Sequence, residues 1–434
     1  MLFHDLQAKI LACTEIFFVA DKPRNQAAFS RVQSARGVGT ARKNAMQRRI
    51  EIDAARGLML VWMTLTHMPT MLTPWVNQPF GYISASEGFI FLSALFTGFI
   101  YERLLERSGP GVMASKLLGR TLRLYQYHVA LLFGAFLIAA RFAVNGHHQA
   151  LYYLLDFYFS AGRARAITDA LLLIYRPPLL DIIPLYLIFL LLSPLALLVA
   201  DKLGWRILLA CGFLIWFLAQ FGLRQGLYGF ATHHLHLAIP LAEMGAFNLW
   251  AWQFMWIIGL CCGARWAKGN LRVEEWAQRV WIPCAAIVAG LLAVRYAEIY
   301  GVVNLAPYAI VFDKWHLGAL RLLDFASITA VLVRFQTLLR PLAVRPLVLL
   351  GQASLQVFVT HFVFCFIALG WIGSDPRLYG WRQFAMLAVT FAALLLVAKI
   401  FGKPDAPPAT PTEKRASPAP PKLPAPVAET PGAS

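Results

Sequence analysis

The chain is poor in charge, and in acid above all. Only 14% of its 434 residues are charged, and 22 acids stand against 39 bases. A soluble domain carries about 25% charged residues, so a water-exposed globule of this length is excluded. Cysteine is sparse as well. Cys13, Cys211, Cys261, Cys262, Cys284 and Cys365 show no C-x-x-C spacing, and all but Cys13 fall inside apolar runs. Such thiols behave as small apolar groups, so neither a disulfide nor a zinc site is expected. The loops of soluble enzymes are missing too: there is no Walker A, no G-x-S-x-G and no H-E-x-x-H.

What the chain has is hydrophobic length, with 59% apolar residues. Ten runs stand out, at 54–75, 80–101, 121–143, 179–200, 205–222, 249–266, 280–300, 318–336, 346–371 and 382–402. Each is near the ~20 residues that cross a bilayer as a helix. The expectation is an all-α, polytopic membrane helical bundle of about ten transmembrane helices. Segment 150–178 is mixed and amphipathic, as a re-entrant or interfacial helix would be.

A net charge of +17 invites a nucleic-acid reading. The positives instead lie in short loops between apolar runs, the pattern that sets membrane topology, so no nucleic-acid partner is expected. Alternate connections are rich in base, with Arg103, Arg107, Lys116 and Arg120, then Lys202 and Arg206, then Lys268, Arg272 and Arg279, then Arg340 and Arg345. The opposite connections carry Arg224, Lys314 or Arg377, with loop 144–178 as the exception. Both termini are therefore expected in the cytoplasm. Residues 1–47 hold no proper span and no signal peptide, and read as an unstructured extension with translation starting at Met46. Residues 48–402 form the membrane domain. The Pro- and Ala-rich tail at 403–434 cannot bury a core and reads as disordered.

Ionisable groups at membrane depth are costly and point to function. Arg56 and His67 lie on one stripe, three helical turns or roughly 16 Å apart. Asp53 and Arg56, at i and i+3, form either an interfacial anchor or the rim of a cationic mouth for an anionic cofactor. His67 is either an interhelical hydrogen-bonding group or a general base, since desolvation keeps a buried imidazole neutral. Glu87, near the start of the second run, matches His67 in depth on the ten-span reading. It is either the orienter of that imidazole or a solvated loop-edge carboxylate. Ser354 and His361, seven apart, share a face; Ser354 reads first as helix–helix glue, and His361 as a group lining the cavity of His67. His233, His234 and His236 lack metal-ligand spacing, and no metal is expected. Loop 302–316, with Asp313, Lys314, Trp315 and His316, fits a sugar-binding surface or an ordinary membrane interface.

The Arg56-x10-His67 spacing, preceded by Ile52-Asp53, resembles the Arg-x10-His signature of the membrane acyltransferase-3 superfamily. The run Ser354–His361 is similar to that superfamily's late-helix motif. Closer still, Asp53–Pro69, Phe80–Leu92, Arg120–His128, Leu180–Leu187, Phe247–Gln253, Asp313–Asp324 and Gly351–Phe358 resemble the OpgC protein family, in that order. Two positions depart from the usual pattern: Thr66 stands where Asp is common, and Ala94 where Gly is common. The resemblance implies an inner-membrane O-acyltransferase with acyl-CoA as donor, succinyl-CoA by the family's naming, and a periplasmic glucan or related envelope glycan as acceptor. On that reading Arg56, Asp53, Arg120 and Arg123 serve the coenzyme A end. His67 is the base, Glu87 orients it, and His361, Ser354 and Asp313 attend the substrate. A succinyl carboxylate would need a cation, with Arg141, Arg295 and Arg321 as candidates. The competing class is a transporter or flippase of an envelope glycan, which Pro184 and Pro194 within one run keep open. A non-catalytic sensor is a third reading, opposed by the lack of a folded soluble domain.

Overall fold

The computed structural model describes residues 36–142, 149–372 and 377–402. The expectations for the start at Met46 and the disordered ends bear largely on residues outside these. Where the structure begins, residues 36–47 are helical rather than unstructured: the first long helix, α1, runs Arg36–His67. Its early residues are rich in Ala, Arg, Lys, Met and Gln, which favour helix.

Ten further helices carry the architecture. They are α2 (Ala85–Phe142), α3 (Ile182–Leu203), α4 (Trp205–Gln220), α5 (Leu223–His234) and α6 (Leu249–Ala267), then α7 (Val273–Ile299), α8 (Ala319–Arg334), α9 (Arg345–Gln352), α10 (Ser354–Ile372) and α11 (Trp381–Phe401). Short helical turns link them, three of them in the mixed segment after α2. No strand forms among the described residues; one isolated bridge joins Thr70 to Leu378.

Among the described residues, six helices are long and apolar enough to cross a bilayer, or seven if α4 and α5, bent by 78°, make one span. The chain is a multi-pass membrane helical bundle with fewer such helices than the ten runs suggested. The reasons are local. The first run shares α1 with Glu51, Asp53 and Arg56, which dilute its hydropathy. The second and third runs join in α2, where the basic connection between them is helical and only Gly109, at φ 81°, breaks the geometry. The eighth run yields α8, 16 residues long.

The apolar residues divide between a main core, a smaller buried cluster around Met68, Cys365 and Leu387, and the lipid-facing surface. Leu60, Met63, Phe89, Tyr186, Trp252, Phe358 and Phe362 belong to the core. Leu191, Leu192, Leu195, Phe384 and Ile400 are exposed, as expected where lipid is the solvent.

α1 ends at His67 because Pro69 follows: proline has no N–H to donate, and it disfavours helical geometry in the residue before it. His67 is thus the last residue of its helix, not eight residues inside a longer span. α1 packs on α9 with almost no separation. A Cβ on Gly57 would sit 2.0 Å from the Leu347 carbonyl oxygen, and one on Gly351 would sit 1.8 Å from that of Asp53. α2 and α6 meet in the same way, with Gly98 against Leu260 and Gly263 against Leu95. Small residues of this kind let membrane helices approach closely. Because the opposing atoms at Gly57 are backbone, Gly57→Leu should separate α1 from α9, at about 1–3 kcal/mol or more. Thermal unfolding in detergent should report a clear loss of stability, and a variant melting like the parent would contradict the packing described.

Candidate functional site

α1 and α10 lie side by side and run in the same direction, as their contacts show. Eleven residues before the end of α1, the Arg56 guanidinium donates to Ser354 Oγ at the start of α10 and lies over the Phe96 ring, 5.2 Å from its centroid. Further along, His67 Nδ1 is 3.2 Å from His361 Nε2, and the two rings are within 15° of parallel. Ser354, Phe358 and His361 follow at i, i+4 and i+7, so one face of α10 answers the Arg56–His67 stripe of α1. Phe362 packs on both imidazoles, with centroids 5.6 Å from His67 and 4.0 Å from His361.

The hydrogen bonds assign the tautomers. His361 Nδ1 contacts the Phe358 carbonyl oxygen one turn earlier. A carbonyl only accepts, so Nδ1 carries the proton. In neutral His361, Nε2 then holds a lone pair and accepts from His67 Nδ1–H. The remaining nitrogen of His67, Nε2, is left with its lone pair. A base held in one tautomer by a second side chain is the arrangement that proton abstraction from a hydroxyl requires.

The side chain that His67 Nδ1 meets is therefore His361, and Glu87 is engaged elsewhere. Glu87 Oε2 accepts from the Ser84 N–H at 2.9 Å and the Ser84 hydroxyl at 2.6 Å. Its Oε1 accepts from Arg321 Nε at 2.9 Å and from Arg321 Nη2. The depth match with His67 assumed that the first span continued to residue 75. Once α1 stops at His67, Glu87 faces α8 instead and forms a buried pair, 0% and 1% exposed.

At the Arg56 end, Arg120 donates to the Tyr186 hydroxyl at 2.9 Å, and its guanidinium is close enough to Arg56 for the two charges to repel. Asp53 lies one turn before Arg56, within electrostatic reach of it. Arg123 is exposed, so it does not join Arg120 in the buried pair of guanidiniums.

A cleft of about 540 Å³ is lined among others by Gln78, Tyr82, Gln220, Gln225, Asp313 and Lys314; His67 and His361 do not line it, but the Lys314 charge reaches His67. Asp313 turns back on its own loop, accepting from the N–H groups of Trp315 and His316, each at 3.1 Å, and from the His316 ring. Burial works to raise the Asp313 carboxyl, but these bonds, the His316 side chain first, outweigh it and hold it below the usual carboxylate range.

Residues 48–405 match the family described as OpgC protein. The chain belongs to the OpgC protein family. Membership makes it an OpgC-type, glucan-modifying membrane protein, and implies acyl transfer as its class of chemistry. Comparison with curated proteins and with solved structures finds no match.

In this OpgC family member several site residues are not evident from the sequence. Tyr186 carries the Arg120 contact from inside a run that reads as plain membrane span. Asp324 is buried and accepts from the Tyr82 N–H at 2.8 Å, which fixes the loop before α2. One signal existed for both, since they fall in stretches that resemble the family. Among the described residues no three His, Cys, Asp or Glu side chains converge as metal ligands; His233, His234 and His236 are exposed.

The ion pair gives a direct test. Glu87→Gln leaves the Arg321 guanidinium buried without its counter-charge, a loss of about 3–5 kcal/mol. The double change Glu87→Leu with Arg321→Met removes both charges and should recover most of the melting temperature in detergent. A double variant no more stable than the single one would show that the pair is not what holds α2 to α8.

Proposed function

We propose that this chain is an acyltransferase-3-type membrane O-acyltransferase. It transfers a succinyl group from succinyl-CoA to hydroxyls of a periplasmic glucan or related envelope glycan. On this reading it sits in the bacterial inner membrane with both termini and Arg56 on the cytoplasmic side and His67 toward the periplasm. The observation that carries the proposal is the His67–His361 contact, three helical turns beyond a pair of guanidiniums. It supplies a base at one end of the bundle and an anion site at the other.

Guanidinium groups match phosphate in charge and geometry, so Arg56 and Arg120 hold the coenzyme A phosphates, with Asp53 and Ser354 setting the position of Arg56. The acyl thioester reaches His67 between α1 and α10. The glycan lies in the cleft beside Asp313, whose polar lining offers partners for sugar hydroxyls. His67 Nε2 removes the proton from one hydroxyl as its oxygen attacks the thioester carbonyl carbon. The new C–O bond forms, the C–S bond breaks, and His67 returns the proton to the departing thiolate. The products are a glycan ester and free coenzyme A. His361 keeps Nδ1–H of His67 engaged throughout, so the imidazolium formed in the transition state is stabilised where it arises. Glu87 acts at one remove, by anchoring Arg321 at the edge of the cleft.

His67→Ala should lower transfer by about 10²–10⁴-fold, the usual contribution of a general base. Membrane insertion and detergent elution should be unchanged. His361→Leu should cost less than His67→Ala, because it removes the orienter and leaves the base. The readouts are release of coenzyme A thiol and the acyl mass on the glucan. A His67→Ala rate equal to that of the parent would refute the assignment.

A further inference from the structure

A dicarboxylic acyl group brings a negative charge into the site, and the cations of the cleft are unequal in their freedom to meet it. Arg321 is held by Glu87. Arg295 donates to Glu298 at 2.9 Å. Arg141 is exposed, near the end of α2. Lys314 differs from all three. Its ammonium lies over the rings of Trp315 and Phe247, at 5.1 Å and 5.9 Å, and lines the cleft. Among the described residues it forms no ion pair and no hydrogen bond.

Lys314 is also placed to act on the reacting group. It is near enough for its charge to be felt at His67, at Glu87 and at Asp181. The two carboxylates do not use up that charge. Glu87 is already neutralised by Arg321, and Lys314 shares the Asp181 charge with Arg176 and Arg224 rather than pairing with it. Burial holds the Lys314 ammonium below its usual pKa, although Glu87 and Asp181 pull the other way. A half-buried cation in a cavity with its neighbours' charges already balanced is electrostatically incomplete, and a bound anion completes it.

We infer that Lys314 receives the distal carboxylate of the acyl group, and so selects a dicarboxylic acyl donor over a neutral one. The inference rests on the acyltransferase reading and adds to it a residue that discriminates between donors. The two flanking aromatic faces confine the ammonium, while its strongly hydrated point charge suits a single carboxylate.

The test compares succinyl-CoA with acetyl-CoA on purified full-length protein, with one preparation of periplasmic glucan as acceptor. The parent should prefer succinyl-CoA. Lys314→Met should lower the succinyl-to-acetyl ratio of kcat/KM by about 10- to 100-fold, the range for a hydrogen bond to a charged group. The change should fall mainly on the KM for succinyl-CoA. Lys314→Arg keeps the charge and should keep most of the preference, which separates lost recognition from lost folding. Equal losses on both donors, or an unaltered ratio in Lys314→Met, would overturn the inference. A parent that prefers acetyl-CoA would overturn it while leaving the acyltransferase reading in place. A parent that uses neither donor would overturn both.

Discussion

Glu87 and Arg321 bury two opposite charges beside the cleft, and the position of the loop before α2 depends on their meeting. Neither can be buried alone, because desolvation of a single charge costs several kcal/mol. Together they form a two-pronged contact, and Ser84 satisfies the second carboxylate oxygen. The energetic gain over an apolar pair is small by the same reasoning; the consequence is positional. The pair locks the start of α2 to the start of α8. One turn along α8, Asp324 receives the Tyr82 N–H, and Gly81 passes so close that a Cβ there would lie 2.6 Å from the Asp324 carboxylate. The loop joining α1 to α2 is therefore fixed at its far side, and with it the rim of the cleft.

On the other side of that loop, α1 is held by backbone contact with α9. Gly57 and Gly351 remove the side chains that would keep the helices apart. α9 runs almost directly into α10, so the same contact sets the register of Ser354 and His361 against Arg56 and His67. A neutral histidine can carry its proton on either ring nitrogen, and its hydrogen-bond partners decide which. The Phe358 carbonyl settles the tautomer of His361, and His361 settles that of His67. On the proposed mechanism, chemistry at His67 Nε2 thus depends on a packing feature that has no charge and no titratable group.

The sequence makes the class of the protein legible, because apolar runs and scarce charge have one physical explanation. It also exposes Arg56 and His67, since a polar group in an apolar helix needs a reason. The common face of Ser354 and His361 follows from helical spacing alone. Other features were beyond local rules. Nothing near Glu87 distinguishes Arg321 from Arg295 or Arg141 as its partner, for the contact spans 234 residues of chain. The expected Glu87–His67 pairing failed on one residue: Pro69 ends α1 early, and the depth of everything after it shifts. The run count fell for a related reason, because hydropathy cannot tell two spans joined by a loop from two joined by a helix through Gly109.

We propose that this membrane bundle acylates an envelope glucan. The most direct test is mass spectrometry of periplasmic glucans from cells that carry the protein and from cells that lack it. Glucans with a succinyl mass increment are expected in the first, and the same glucans without it in the second. Identical spectra would contradict the proposal, and glucans missing from the periplasm of the second culture would point to transport instead.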